Sequence, residues 1–218
     1  MCGIAGFFGR RPVSGLAVDA MRAAIARRGP DAFHIAGRRD LAAPLAFQND
    51  HAGLSSALLH ARLSIRDPRP VADQPMASED GDIWLCYNGE VYGWEQDKAG
   101  LQAQGHVFTT TSDTEFILRA YQQWGWNGLL PRLRGMFALV ILDRKLGKVF
   151  AARDRMGLKP LVYYHDAVSG EFAFSSLVRG VLPYLPANKR GFSPAGIDAY
   201  LAHRTIPTPG TIFTHIQR

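Results

Sequence analysis

Short apolar stretches, separated by glycine, proline and aspartate, recur along most of the chain, with longer stretches of helical spacing between them. The apolar stretches predict strands at Gly3–Phe8, Ser56–Ile65, Ile83–Tyr87, Met136–Asp143, Lys148–Arg153, Leu161–His165 and Phe172–Ser175. Residues 140–176 read as a meander, because Asp143–Gly147 and Asp166–Gly170 are hairpin-like connections between neighbouring strands. Much of the sheet structure is therefore expected to be antiparallel.

Three helices are legible. Ala17–Arg28 carries Val18, Met21 and Ile25 on one face, and Gly29-Pro30 stops it. Ser112-Asp-Thr-Glu115 has the capping-box pattern, in which Glu115 is expected to reach back to the helix start. Phe116, Ile117, Ala120, Tyr121 and Trp124 come next at helical spacing. A third helix begins at Ser193-Pro194 and runs to about His203. Few βαβ units are visible, so α+β architecture fits better than a doubly wound sheet. The Pro- and Gly-rich segment Leu182–Gly191 is the best candidate boundary, and the residues beyond it are too few for a second core.

Composition narrows the class. A chain of 218 residues that is 47% hydrophobic can bury one large core or two small ones. Its longest apolar run, Met136–Leu142, is far short of the roughly 20 residues a membrane span needs. No basic start precedes the apolar N-terminus, so a secretory leader is not supported. Two cysteines, Cys2 and Cys86, make no disulfide framework, and a cytoplasmic location is expected. The pI near 9.6 raises the question of nucleic acid. The arginines fall singly or as doublets across the whole length, which argues against a phosphate-binding face. Seven histidines lack metal-ligand spacing, so no metal site is expected. Cys86 lies within a strand pattern and reads as core, and His60 as structural or strand-positioning.

Cys2 carries the most chemistry. Small Gly3 after Met-Cys suits removal of Met1, which would leave one residue holding both a thiol and a free amine. An α-amine with an ordinary pKa near 8 can take the proton of a thiol near 8.5, so the same residue supplies nucleophile and base. Alone, Met-Cys also describes a small residue beginning a strand.

The motifs Cys2-Gly-Ile-Ala-Gly6, Arg28-Gly-Pro-Asp31, His60-Ala-Arg-Leu-Ser-Ile65, Gln74-Pro-Met76, Asn88-Gly-Glu-Val-Tyr92, Ser112-Asp-Thr-Glu115, Arg134-Gly-Met-Phe137 and Arg153-Asp-Arg-Met-Gly-Leu-Lys-Pro-Leu161 occur in that order. Together they resemble the class II, N-terminal nucleophile, glutamine amidotransferase domain, most closely that of asparagine synthetases. The resemblance implies a four-layer α/β/β/α sandwich of two mainly antiparallel sheets. It implies a glutaminase domain over 2–190, with 191–218 starting the connection to a synthetase domain that is not in these residues. It also implies attack by Cys2 on the side-chain amide of L-glutamine, a thioester, and release of ammonia for ATP-dependent synthesis of asparagine from aspartate.

Residue by residue, the resemblance gives Asn88 and Gly89 as the oxyanion hole, although Asn-Gly is equally a hairpin signal. Arg62 would bind the α-carboxylate of glutamine, and Asp113 and Glu90 its α-ammonium. Leu63 and Ile65 would line the site, and Arg28 would order the loop that closes over glutamine. Arg66 stands where the family often has an apolar residue. Phe174-Ser-Ser-Leu177 lacks an acid usual in the family. No cofactor is implied for the glutaminase step, and ATP and magnesium belong to the synthetase domain. Expected partners are L-glutamine and a synthetase domain or subunit, with a homo-oligomer also open and neither nucleic acid nor membrane. The other readings are a glutamine-binding module without turnover, acting alone or in regulation, and an amidotransferase serving a different acceptor.

Overall fold

The computed structural model describes residues 1–218. The chain runs β1 (Gly3–Val13), α1 (Gly15–Ala26), β2 (Ala32–Arg38), β3 (Ala46–Phe47), β4 (Leu54–Arg62), β5 (Met76–Ala77) and β6 (Ile83–Val91). It continues through α2 (Glu95–Ala103), α3 (Asp113–Leu129), β7 (Gly135–Asp143), β8 (Lys148–Arg153), β9 (Val162–Asp166), β10 (Glu171–Ser175), α4 (Val178–Val181) and α5 (Pro194–His203).

Two sheets form, ordered β3-β2-β4-β1-β10-β9 and β5-β6-β7-β8, and all their pairings are antiparallel. Three apolar clusters separate four layers. Ala5, Phe7, Ala57 and Leu59 of the first sheet pack on Val18, Met21 and Ile25 of α1 and on Val181 of α4. Leu85, Leu139 and Ile141 of the second sheet pack on Phe116, Ile117 and Ala120 of α3. Between the sheets, Ile4, Leu58 and Phe174 meet Cys86, Ala138 and Val140. This is the expected α/β/β/α sandwich, and its cause is the two-residue period of a strand. Both faces of each central strand are covered over most of its length, so even positions of β1 up to Phe8, of β4 from Ser56 and of β6 up to Asn88 face the other sheet and odd positions face helices.

The meander does not persist through 140–176. β7 and β8 lie in the second sheet, whereas β9 and β10 lie in the first. The crossing is made at Asp154, whose carboxylate accepts the backbone N–H groups of Phe137, Leu158 and Lys159 at 3.2, 2.8 and 2.9 Å. Such a turn satisfies three backbone donors, two of them buried. Both hairpins occur, but each joins strands of its own sheet.

Helix α3 starts where expected, with a different cap. The Ser112 hydroxyl accepts from Thr114 N–H at 3.0 Å, while Glu115 reaches past the cap to the N–H groups of Thr109 and Thr110. Glu115 thereby folds the approach to the helix rather than its first turn. Gly125, at φ 62°, breaks the helical path between Trp124 and Trp126, and the Trp126 ring stacks on Phe150 at 5.0 Å. Residues 191–218 fold back on the first sheet. Gln217 exchanges two 2.8 Å backbone bonds with Tyr163, and Ile216 is buried in the helix-side core.

Candidate active site

The site lies at one end of the gap between the sheets. Gly3 stands opposite Ala61 in the β1–β4 ladder, so Cys2, one residue earlier, sits level with Arg62. Period-2 alternation directs both residues, with Asn88 of β6, to the same inter-sheet layer. A cavity of about 260 Å³ opens there, lined among others by Cys2, Arg62, Leu63, Ile65, Asn88, Gly89, Glu90 and Asp113. Eight of the nine residues expected at the site thus meet in one cavity. Arg28 alone is not part of its wall.

The Cys2 thiol is bracketed by the backbone of Leu63, whose N–H points at Sγ from 3.4 Å and whose carbonyl lies 3.8 Å away. Burial pushes the thiol pKa up, while the Leu63 bond, the N-terminal ammonium and Arg62 pull it down. Arg28, just beyond α1, donates Nε–H to the Cys2 carbonyl at 3.0 Å. It therefore fixes the backbone of Cys2 directly.

Asn88 and Gly89 lie within β6, which continues in register with β7 to Val91, so the hairpin reading of Asn-Gly does not apply. Asn88 is 2% exposed and its Nδ2 has no protein partner. A buried amide left unpaired is costly, and this one is beside the cavity. A Cβ on Gly89 would come within 2.4 Å of the Met136 carbonyl and 2.8 Å of the Phe137 Cα, so this strand position admits only glycine.

Asp113 is buried beneath the cavity. Its Oδ2 accepts from Tyr87 O–H at 2.7 Å and Val91 N–H at 2.9 Å. Burial raises its carboxyl pKa above the ordinary value, against the pull of those two bonds. Tyr87 precedes Asn88 and therefore faces α3, which explains how its hydroxyl meets Asp113.

Arg62 has partners other than the substrate carboxylate expected of it. Its Nη1 donates to the Arg69 carbonyl and the Asp73 carboxylate, and its Nη2 to the carbonyls of Arg66 and Asp67. The guanidinium, 5% exposed, is the hub around which the 63–73 loop is wound. The strand predicted to Ile65 accordingly ends at Arg62, and Ile65 is 77% exposed at the cavity lip.

Sequence reasoning assigned no site role to Gln74 or Tyr87, and gave His60 as structural or strand-positioning. Gln74 donates Nε2–H to Thr114 and accepts the Tyr87 N–H, tying the loop to α3 and β6. His60 is fully buried between the sheets with Nε2 3.1 Å from the Tyr87 carbonyl, and burial lowers its pKa to about 4. Neutral at physiological pH, it bridges β4 to β6 immediately before Asn88. The even-position rule that places Arg62 also places His60, and was the available signal.

Comparison with known proteins places this geometry. All of residues 1–218 match the glutamine amidotransferase domain family. The chain belongs to the class II glutamine amidotransferases. It is 29% identical to asparagine synthetase [glutamine-hydrolyzing] 1 of Bacillus subtilis, over 100% of this chain and 32% of that protein. It is 33% identical to a putative asparagine synthetase [glutamine-hydrolyzing] 2 of Methanocaldococcus jannaschii, over 98% of this chain and 41% of that protein. The chain thus spans a third to two-fifths of the length of these curated relatives. Among solved structures it resembles the glutamine phosphoribosylpyrophosphate amidotransferase of B. subtilis, with a TM-score of 0.65 over 80% of this chain and 42% of that one, at 22% identity. That likeness establishes the N-terminal nucleophile fold for this amidotransferase domain. No helix of the domain is long and apolar enough to cross a membrane. No group of three or more His, Cys, Asp or Glu side chains is placed to hold a metal ion.

Proposed function

We propose that this amidotransferase domain hydrolyses L-glutamine to glutamate and ammonia through a thioester on Cys2. The observation that carries the reading is the unpartnered, buried Asn88 amide in the same cavity as the Cys2 thiol. With Met1 removed, the α-amine of Cys2 accepts the thiol proton and Sγ attacks the amide carbon of glutamine. Negative charge develops on the former carbonyl oxygen, where Asn88 Nδ2–H and Gly89 N–H donate. The ammonium of Cys2 returns its proton to the departing nitrogen as the C–N bond breaks. Water then cleaves the thioester, with the amine again serving as base, and glutamate leaves.

Asp113 supplies negative charge for the substrate ammonium, and Leu63 and Ile65 flank its aliphatic stem. The similarity to glutamine-hydrolysing asparagine synthetases supports an ATP-dependent synthetase as ammonia acceptor, making asparagine from aspartate. Its ATP and magnesium would belong to that acceptor. The domain would work in the cytoplasm, where a free thiol persists.

The test is intact mass together with glutamate release from glutamine by the native chain and Cys2→Ala. Loss of Met1 and abolition of turnover in Cys2→Ala are expected. Retained Met1 in an active protein, or activity surviving the substitution, would sink the mechanism.

A further inference from the structure

Beyond the end of β5, strand β6 has an open edge. β5 is two residues long, and its pairing with β6 stops at Met76 opposite Leu85. On the other side of β6, Phe137 stands opposite Gly89 but spends both its N–H and its carbonyl on Asp154. Gly89 therefore turns its own N–H away from β7, toward the open edge, as do Tyr87 and Val91 two residues to either side. The Tyr87 N–H is taken by the Gln74 side chain at 2.7 Å and the Val91 N–H by Asp113 at 2.9 Å. Gly89, between them, is left to face the cavity.

The Tyr87 carbonyl opens onto the same edge and has no strand to receive it. It lies 3.1 Å from Nε2 of His60, which reaches across from the other sheet. Because a carbonyl only accepts, the neutral ring carries its hydrogen on Nε2. His60 is fully buried, and buried Gln74 is itself held by its bond to Thr114. Two buried side chains from separate elements thus stand in for a missing ladder, at the residue just before Asn88. An oxyanion donor works only when it is held within about 0.5 Å of its productive position.

Building on the glutaminase reading, we propose that His60 and Gln74 are positioning residues for the oxyanion pair. They fix the Tyr87 peptide edge so that the Asn88 amide and the Gly89 N–H aim at one point. His60 does not reach the cavity wall, so its effect passes through the Tyr87 carbonyl to the peptide nitrogen of Asn88.

The experiment is a double-mutant cycle read by glutamate release from L-glutamine. It compares wild type, His60→Leu, Asn88→Ala and the double variant, with His60→Gln as the conservative substitution that keeps a donor. His60→Leu is expected to lower kcat about tenfold or more with KM for glutamine nearly unchanged. His60→Gln should recover most of that kcat. In the Asn88→Ala background, His60→Leu should cost less than about threefold further, because the donor it aims is gone. A histidine with a merely structural role would cost the same factor in both backgrounds, and that result overturns the assignment. So does an unchanged kcat in His60→Leu, or a loss confined to KM. If His60→Leu does not fold, Gln74→Met, which frees the N–H of the same Tyr87 edge, enters the cycle and is judged by the same non-additivity. An additive cycle in a protein that turns over glutamine refutes the positioning alone. Wild type without turnover defeats the glutaminase reading, and the positioning with it.

Discussion

The guanidinium of Arg28 donates its Nε hydrogen to the carbonyl of Cys2 across 3.0 Å, tying the Cys2 backbone to the end of the first helix. The first residues of a chain are ordinarily free to fray. Cys2 is instead clamped on its carbonyl by Arg28 and bracketed on its thiol by Leu63. Arg28→Ala should therefore lower kcat for glutamine about tenfold or more with a small change in KM, because displacement of an attacking atom is felt in the chemical step. Steady-state glutamate release measures it, and a loss confined to KM would count against the role.

The lone amide of Asn88 makes a sharper prediction. Asn88→Ala should cost roughly 10²–10³-fold in kcat, the usual loss for one oxyanion donor, with glutamine affinity in a Cys2→Ala background nearly unchanged. Asn88→Ala also removes a buried amide that has no Nδ2 partner, so the thermal midpoint should hold.

Asp113 separates binding from stability. Its pKa is raised in the fold by burial, so the native state binds the proton more tightly than the unfolded chain does. The ionised carboxylate consequently destabilises the fold above the raised pKa, and that penalty relaxes as pH falls through it. Asp113→Asn keeps an oxygen to accept from Tyr87 and Val91. Its thermal midpoint at neutral pH should equal or exceed that of wild type, and its KM for glutamine should rise at least about tenfold through loss of the charge. A large fall in midpoint would show that the carboxylate is required for structure.

Asp154 should behave in the opposite sense. Burial alone would raise its pKa, but the N–H groups of Lys159, Leu158 and Phe137 outweigh burial and leave it below the ordinary value. The stability it contributes is present above the unfolded-state pKa and is lost as pH falls through the lowered one. Asp154→Ala orphans three backbone donors and should cost about 2–4 kcal/mol, read as a fall in thermal midpoint of roughly 5–15 °C. Asparagine should restore part of it, having one acceptor oxygen.

Several elements were legible because their signal is local. Helix α1 could be read from Val18, Met21, Ile25 and the Gly29-Pro30 stop, and α3 from its Ser112 cap and apolar face. Others were not. The short strand β3 and the polar helix α2, with Leu101 as its buried residue, carry too few apolar positions to announce themselves. Glu115 had the spacing of a capping box, but Thr109 and Thr110 brought two N–H and two hydroxyl donors within its reach and won it.

By itself the sequence determined which residue types are present for glutamine chemistry and on which face of each strand they stand, since alternation is a property of the backbone alone. Cys2, Arg62 and Asn88 owe their shared face to that parity. Only the tertiary structure decided which groups surround each of them. Pairing β1 with β4 and laying β6 across them left Asn88 with an unpartnered amide, while the 63–73 loop closed on Arg62 and took its terminal hydrogens. The number of hydrogen bonds a guanidinium has left depends on what surrounds it, and those neighbours come from loop closure rather than from spacing along the chain. Arg66, which the sequence marked only as a departure from the family, is the arginine that the fold sets on Glu90 at the cavity wall.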